Sequence, residues 1–183
     1  MQHGFGRPGS SCRTGSCSPF DWGDPHAAAG DGMTSETAGI ELRAATEADR
    51  GRIAKIWHAG ASLPGVGPAT LPSFAALRQR VDEECAAGWL VQVAVRGDTV
   101  LGFAAVKPAD RVLCELFVDP GERGSGIGTQ LLRWAMEALP DGFMLYTRAG
   151  NERACRFYEH AGLRRLRTGL HPRFGDPIVF YGT

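Results

Sequence analysis

The chain has 183 residues, of which 43% are hydrophobic and 22% charged, and its 20 basic residues balance its 20 acidic residues. This length and hydrophobic content predict one domain with a sizeable core, and the zero net charge argues against nucleic acid as its main partner. The sequence contains no apolar run long enough to cross a bilayer, so no membrane partner is predicted.

Residues 1–39 differ in composition from the rest of the chain. They carry eight of the 25 glycines together with scattered serine and proline, and they show neither helical nor strand periodicity. Such a segment buries too little apolar area to offset the entropy of ordering. We expect a disordered extension, with Met33 as an alternative start of the native protein, followed by a single domain over residues 40–183.

Eleven elements in the order βααβββαβαββ are predicted after residue 39 from hydrophobic periodicity and from helix-start and helix-stop residues. Thr46, Ser73 and Asn151 stand at predicted helix starts, and Gly88 and Gly162 stand at helix ends. The predicted strands span residues 40–43, 90–95, 100–106, 112–118, 143–148, 163–168 and 178–181. The predicted helices span residues 46–59, 71–87, 127–139 and 151–161.

The cysteines show no pairing pattern. They are five in number and no Cys-x-x-Cys occurs, so neither a disulfide framework nor a zinc site is indicated. We therefore expect free thiols, no metal and a reducing, cytoplasmic environment. The five are Cys12, Cys17, Cys85, Cys114 and Cys155.

A glycine-rich turn, Arg-Gly-Ser-Gly-Ile-Gly-Thr at residues 123–129, joins the predicted strand 112–118 to the helix that follows. Glycines remove the Cβ atoms that would block a ligand, and the first N–H groups of the helix lie at the positive end of its dipole. The turn is therefore predicted to bind a phosphate group.

Spacing separates three kinds of phosphate-binding turn. A nucleotide P-loop needs a lysine after its last glycine, but Gly128 is followed by Thr129. A dinucleotide-binding turn needs a third glycine at the position that Thr129 occupies, so that match is weak. The remaining pattern is Arg-x-x-Gly-x-Gly, formed by Arg123, Gly126 and Gly128, and it resembles the coenzyme A pyrophosphate loop of the GNAT-type N-acetyltransferase superfamily.

A second motif supports this resemblance. Residues 151–163 contain an asparagine, an alanine three positions later, a Phe-Tyr pair and a Gly-Leu pair, in the order typical of the same superfamily. The one departure is Leu163, which stands where the family usually has phenylalanine. The resemblance covers roughly residues 100–170, whereas residues 40–100 agree in element order only.

The resemblance implies a mixed α/β fold in which the strands ending near Val118 and beginning near Phe143 splay apart. It also implies acetyl-CoA as cosubstrate, with its amide-bearing arm held in the gap by strand backbone. The residues that would bind it are Phe117, Val118, Arg123, Gly124, Ser125, Gly126, Ile127, Gly128, Thr129 and Asn151.

Two side chains are candidates for proton transfer. By resemblance Tyr158 is the acid that protonates the departing thiolate; the alternative is a helix tyrosine at the edge of the core. Glu115 is the candidate base, since burial of a strand carboxylate raises its pKa, and the alternative is an ion pair with an arginine.

Other groups are candidates for the remaining roles. By resemblance the N–H of Val118 would stabilise the oxyanion. Alternative bases are His58 and, with weaker claims, His160 and His171.

The predicted activity is acetyl-CoA-dependent transfer of an acetyl group to a primary amine of a small molecule or peptide. The acceptor pocket should lie between the first two helices, the Gly60–Ala69 loop and the Gly169–Asp176 segment, where Arg173 either meets a substrate carboxylate or remains a solvated charge. A noncatalytic acyl-CoA-binding regulatory module and a protein N-terminal or lysine acetyltransferase are the alternatives. A homodimer is a candidate assembly.

Overall fold

The computed structural model describes residues 39–183, which form a seven-stranded sheet in the order β1-β2-β3-β4-β5-β7-β6 with four α-helices. The predicted element order and mixed α/β class are confirmed. The expected extension, apart from Gly39, and the alternative start lie outside the described residues.

The strands are β1 Glu41–Ala44, β2 Leu90–Arg96, β3 Thr99–Lys107, β4 Val112–Val118, β5 Met144–Arg148, β6 Arg164–Leu170 and β7 Pro177–Gly182. The helices are α1 Arg50–Ala61, α2 Phe74–Ala86, α3 Ile127–Ala138 and α4 Glu152–His160.

Capping side chains fix where the helices begin. The Ser73 hydroxyl accepts a hydrogen bond from the N–H of Ala76 at 3.2 Å, so α2 begins at Phe74 and three residues later than predicted. Asn151 Oδ1 accepts from the N–H of Ala154 at 3.2 Å and begins α4 as predicted.

The helices lie on both faces of the sheet and define two apolar cores. The core beneath α1 and α2 contains Ile53, Trp57 and Val81, and the core beneath α3 and α4 contains Leu131 and Tyr158. Helix α1 approaches β4 closely at Gly60, where an added Cβ would lie 2.4 Å from Cδ1 of Phe117. Only glycine allows this helix to lie so close to the strand.

The sheet opens between its two central strands. β4 and β5 run parallel and pair through a single residue pair, Val112 with Met144, whereas β5 pairs with β7 along its whole length. The predicted splay is confirmed. Beyond Val112, the edge of β4 that faces β5 has no partner strand among residues 39–183.

No helix within residues 39–183 is both long enough and apolar enough to cross a membrane.

Candidate active site

The turn before α3 has the geometry that a phosphate site needs. Gly124 and Gly126 adopt φ angles of +87° and +80°, in the left-handed region that favours glycine. The first intrahelical N–H to find a carbonyl is that of Gln130, which donates to Gly126 O at 3.1 Å. The N–H groups of Ile127, Gly128 and Thr129 therefore lack acceptors within the helix and face the turn.

Polar contacts hold this turn against the sheet. The Asp119 carboxylate accepts the N–H of Gly121 at 3.0 Å and pairs with Arg52 at 2.6 Å. Arg96 forms a bidentate salt bridge with Glu122, with both N···O distances at 3.0 Å. The turn is thus positioned before any ligand binds.

A cavity of about 630 Å³, called here the loop cavity, lies between this turn, β4 and α4. Ser125 does not line it, because its hydroxyl donates to Glu122 O at 2.6 Å within the turn. The predicted binding residues that line the loop cavity are Phe117, Val118, Arg123, Gly124, Gly126, Ile127, Gly128, Thr129 and Asn151.

The open edge of β4 exposes the backbone of alternate residues to the gap. The N–H of Asp119 donates to Leu101 O in β3 at 2.7 Å, so the backbone groups of Phe117 also face β3. Those of Leu116 and Val118 then face the gap. The backbone of Phe117 thus faces β3 and not the gap, where the sequence analysis expected it, and Leu116 occupies that position.

A second cavity of about 460 Å³, called here the α2 cavity, lies on the other side of the gap, between α2, the loop after α1 and the turn after β6. Its walls include Leu77 and Arg80 of α2 together with Phe174. The six residues that line both cavities are Val66, Leu116, Phe117, Asn151, Ala154 and Tyr158.

Tyr158 stands where the two cavities meet. Its side chain is buried between Phe157 and Tyr181, with ring centroids 5.2 and 5.8 Å away, and its hydroxyl has no hydrogen-bond partner within residues 39–183. Burial and the nearby Glu115 carboxyl raise the pKa of Tyr158, so the phenol keeps its proton at neutral pH. The hydroxyl is therefore present as a hydrogen-bond donor, but the raised pKa makes complete proton transfer harder than for an ordinary phenol.

Glu115 of β4 lines the α2 cavity, and 19% of its side chain is exposed. Burial raises its pKa to about 8, and the positive charge of Arg80 limits the increase. Arg80 Nη2 lies 3.9 Å from Glu115 Oε1, while the guanidinium stacks 4.9 Å from the Trp57 ring centroid and pairs with Glu84 at 3.6 Å. The arginine partner that the sequence analysis named as the alternative for Glu115 is therefore Arg80.

The fold separates the three histidines named as alternative bases. His58 and His160 line neither cavity, and His160 Nδ1 lies 2.6 Å from Arg156 O. His171 lines the α2 cavity, next to Arg173. Sequence analysis missed Arg80 and Tyr146, both of which line this cavity; each lies within a correctly predicted element, but nothing local marks it as facing a cavity.

Comparisons with known proteins place this geometry in a family. The sequence model described as the Acetyltransferase (GNAT) family matches residues 58–163, which is more than half of the chain. The chain belongs to the GNAT acetyltransferase family. Among curated relatives, the mycothiol acetyltransferase of Thermobispora bispora is 30% identical over 131 residues, covering 72% of this chain and 43% of that protein. This GNAT chain therefore spans less than half the length of that relative.

Solved GNAT-fold structures share the architecture at low identity. An N-acetyltransferase from Staphylococcus aureus aligns with a TM-score of 0.64 at 18% identity, covering 80% of this chain and 98% of that one. A ribosomal-protein-alanine N-acetyltransferase from Brucella melitensis aligns with a TM-score of 0.63 at 23% identity, covering 78% and 98%. The protein yncA from Salmonella typhimurium, determined with its cofactor acetyl-CoA, aligns with a TM-score of 0.62 at 16% identity, covering 79% and 93%.

Proposed function

We propose that this GNAT protein is an acetyl-CoA-dependent N-acetyltransferase that modifies a primary amine of a small molecule or peptide. The meeting of two cavities at Tyr158, beside the open edge of β4, carries this assignment. The loop cavity suits a coenzyme, and the α2 cavity suits the acceptor amine. We further propose that residues 40–183 form a single acetyltransferase domain.

The residues of the loop cavity fit coenzyme A. The turn before α3 offers N–H groups to the diphosphate, and Arg123 adds a positive charge at its mouth. Main-chain groups of Leu116 and Val118 face the gap and suit the amides of the pantetheine arm. When bound there, acetyl-CoA supplies the acetyl thioester as the reactive group.

Three groups near the place where the two cavities meet have separate roles in the reaction. Glu115 accepts the proton that the attacking amine loses, because its carboxylate shares the α2 cavity and its pKa, raised to about 8, lies near that of an α-amino group. A gap-facing N–H stabilises the charge on the thioester oxygen; Leu116 suits this role better than Val118, because only Leu116 lines both cavities. Tyr158 donates its hydroxyl proton toward the leaving sulfur.

Turnover tests the proposal directly. The purified full chain is incubated with acetyl-CoA and a panel of primary amines that includes amino acids, amino amides and short peptides. We expect thiol release together with an acetylated amine by mass spectrometry. Binding of coenzyme A without thiol release on any acceptor would favour a noncatalytic acyl-CoA-binding module, and acetylation of peptides alone would favour a protein acetyltransferase.

The pH dependence of turnover should report Glu115. A base must be ionised to act, so we expect kcat/KM to rise with pH through about 8, the value to which burial raises the pKa of Glu115. Glu115→Gln should remove this rise from the pH profile of kcat/KM. The rise caused by deprotonation of the acceptor amine itself should remain. Glu137→Gln, a matched change at an exposed α3 position that lines neither cavity, should keep the wild-type profile. An unchanged profile in Glu115→Gln would show that Glu115 is not the base.

A further inference from the structure

The turn between β6 and β7 holds the His171 ring in one orientation. The N–H of His171 donates to Asp176 O and its carbonyl accepts from the N–H of Gly175, both at 2.8 Å, so the turn is closed at its base. His171 Nδ1 accepts the N–H groups of Arg173 at 3.1 Å and Phe174 at 3.3 Å. The imidazole is therefore anchored through Nδ1.

This anchoring sets the position of the ring proton. A neutral imidazole has one N–H, and because Nδ1 accepts, the proton is on Nε2. His171 Nε2 lies 3.3 Å from the Tyr146 hydroxyl oxygen, so it donates to that oxygen. Burial and the positive charge of Arg148 lower the pKa of His171, which is consistent with the neutral ring.

Tyr146 is left with a hydroxyl proton directed away from the histidine. Within residues 39–183, His171 is the only hydrogen-bond partner of the Tyr146 hydroxyl. Tyr146 lines the α2 cavity together with Glu115. Partial burial and the Glu115 charge raise the pKa of Tyr146, which is 47% exposed, so the phenol stays protonated. The cavity therefore contains a preset hydrogen-bond donor on the wall formed by β5.

We propose that Tyr146, oriented by His171, binds an oxygen atom next to the acceptor amine, and so selects amines that carry a carbonyl or carboxyl group beside the reactive nitrogen. This inference rests on the proposed function, in which the α2 cavity holds the acceptor. Tyr146 is the binding residue, and His171 is a positioning residue that acts through it.

Binding of two matched amines tests the inference without turnover. L-alaninamide carries a carbonyl next to its amine, and in 2-aminobutane an ethyl group replaces the carboxamide. Each amine is titrated by NMR into the full chain saturated with coenzyme A. We expect wild type to bind L-alaninamide about 10-fold more tightly, which is the worth of one hydrogen bond, and Tyr146→Phe to reduce the ratio to about 1.

The control is Tyr181→Phe, which removes a hydroxyl that donates to Glu159 outside both cavities, and it should keep the wild-type ratio. Long-range ¹H–¹⁵N NMR should show His171 with its proton on Nε2. A ratio near 1 in wild type, an unchanged ratio in Tyr146→Phe, no binding of either amine, or a proton on Nδ1 would each overturn the inference. Selective binding without thiol release would refute the acetyltransferase function and leave the role of Tyr146 standing.

Discussion

Replacing Tyr158 with phenylalanine is expected to lower kcat for acetyl transfer about 100-fold, the lower end of what a positioned proton donor contributes. The change removes only the hydroxyl that opens to the cavities and leaves a ring to pack against Phe157 and Tyr181. The fold and the turn before α3 should be unaffected. Steady-state kinetics measure kcat, and calorimetry should find unchanged affinity for acetyl-CoA.

The matched control is Tyr181→Phe. Tyr181 is also buried, and its hydroxyl donates to Glu159 at 2.8 Å outside both cavities. This variant should keep near wild-type kcat even if its melting temperature falls. Equal kcat in Tyr158→Phe and wild type would return Tyr158 to the alternative of a tyrosine at the edge of the core.

Replacing Gly128 with valine should strongly weaken coenzyme binding. Gly128 is the second residue of α3, and a Cβ there would lie 3.6 Å from the Phe157 ring and 3.8 Å from Val118 Cγ2, in ordinary contact. The valine methyl groups then extend into the loop cavity and cover the N–H groups of the first helical turn. Loss of two hydrogen bonds to a charged diphosphate corresponds to about 3 kcal/mol, or about 100-fold weaker binding by calorimetry.

Gly51→Val provides the control. Gly51 is the second residue of α1, so the change in helix propensity is the same, and nothing lies within 4 Å of its added Cβ. This variant should bind coenzyme A like wild type. Undiminished binding in Gly128→Val would show that the diphosphate does not lie on this helix terminus.

Local patterns predicted the elements because their signals are local. Hydrophobic periodicity located the strands and helices, and the cap residue Asn151 and the stop residue Gly162, which has a φ of +84°, marked the ends of α4. The turn before α3 was predictable for the same reason, since its glycines set the backbone geometry without help from the rest of the fold.

The open backbone of β4 was not predictable at the level of single residues. The register between β3 and β4 shifts where Ala105 pairs with Glu115 but Val106 pairs with Leu113, which leaves Cys114 as an extra residue. A bulge of this kind reverses which residues face each neighbouring strand. Its position depends on the pairing partner, so the sequence of β4 alone does not distinguish Leu116 from Phe117.

The remaining cavity residues could not be predicted either, because their positions depend on tertiary packing. Arg80 lies on a helix whose charged residues look like an ordinary solvated face, and only the packing of α2 over Trp57 places its guanidinium beside Glu115. Tyr146 lies in a short strand, and its pairing with His171 spans 25 residues of sequence.

The single residue pair between β4 and β5 has an evolutionary consequence. Peptide groups are the same whatever side chain a residue carries, so a docking edge made of main chain tolerates mutation along the strand. If coenzyme A docks on this edge as proposed, the side chains along it can change while the docking groups stay the same. Proteins that share this fold at 18% and 23% identity show that the fold itself persists while most residues differ.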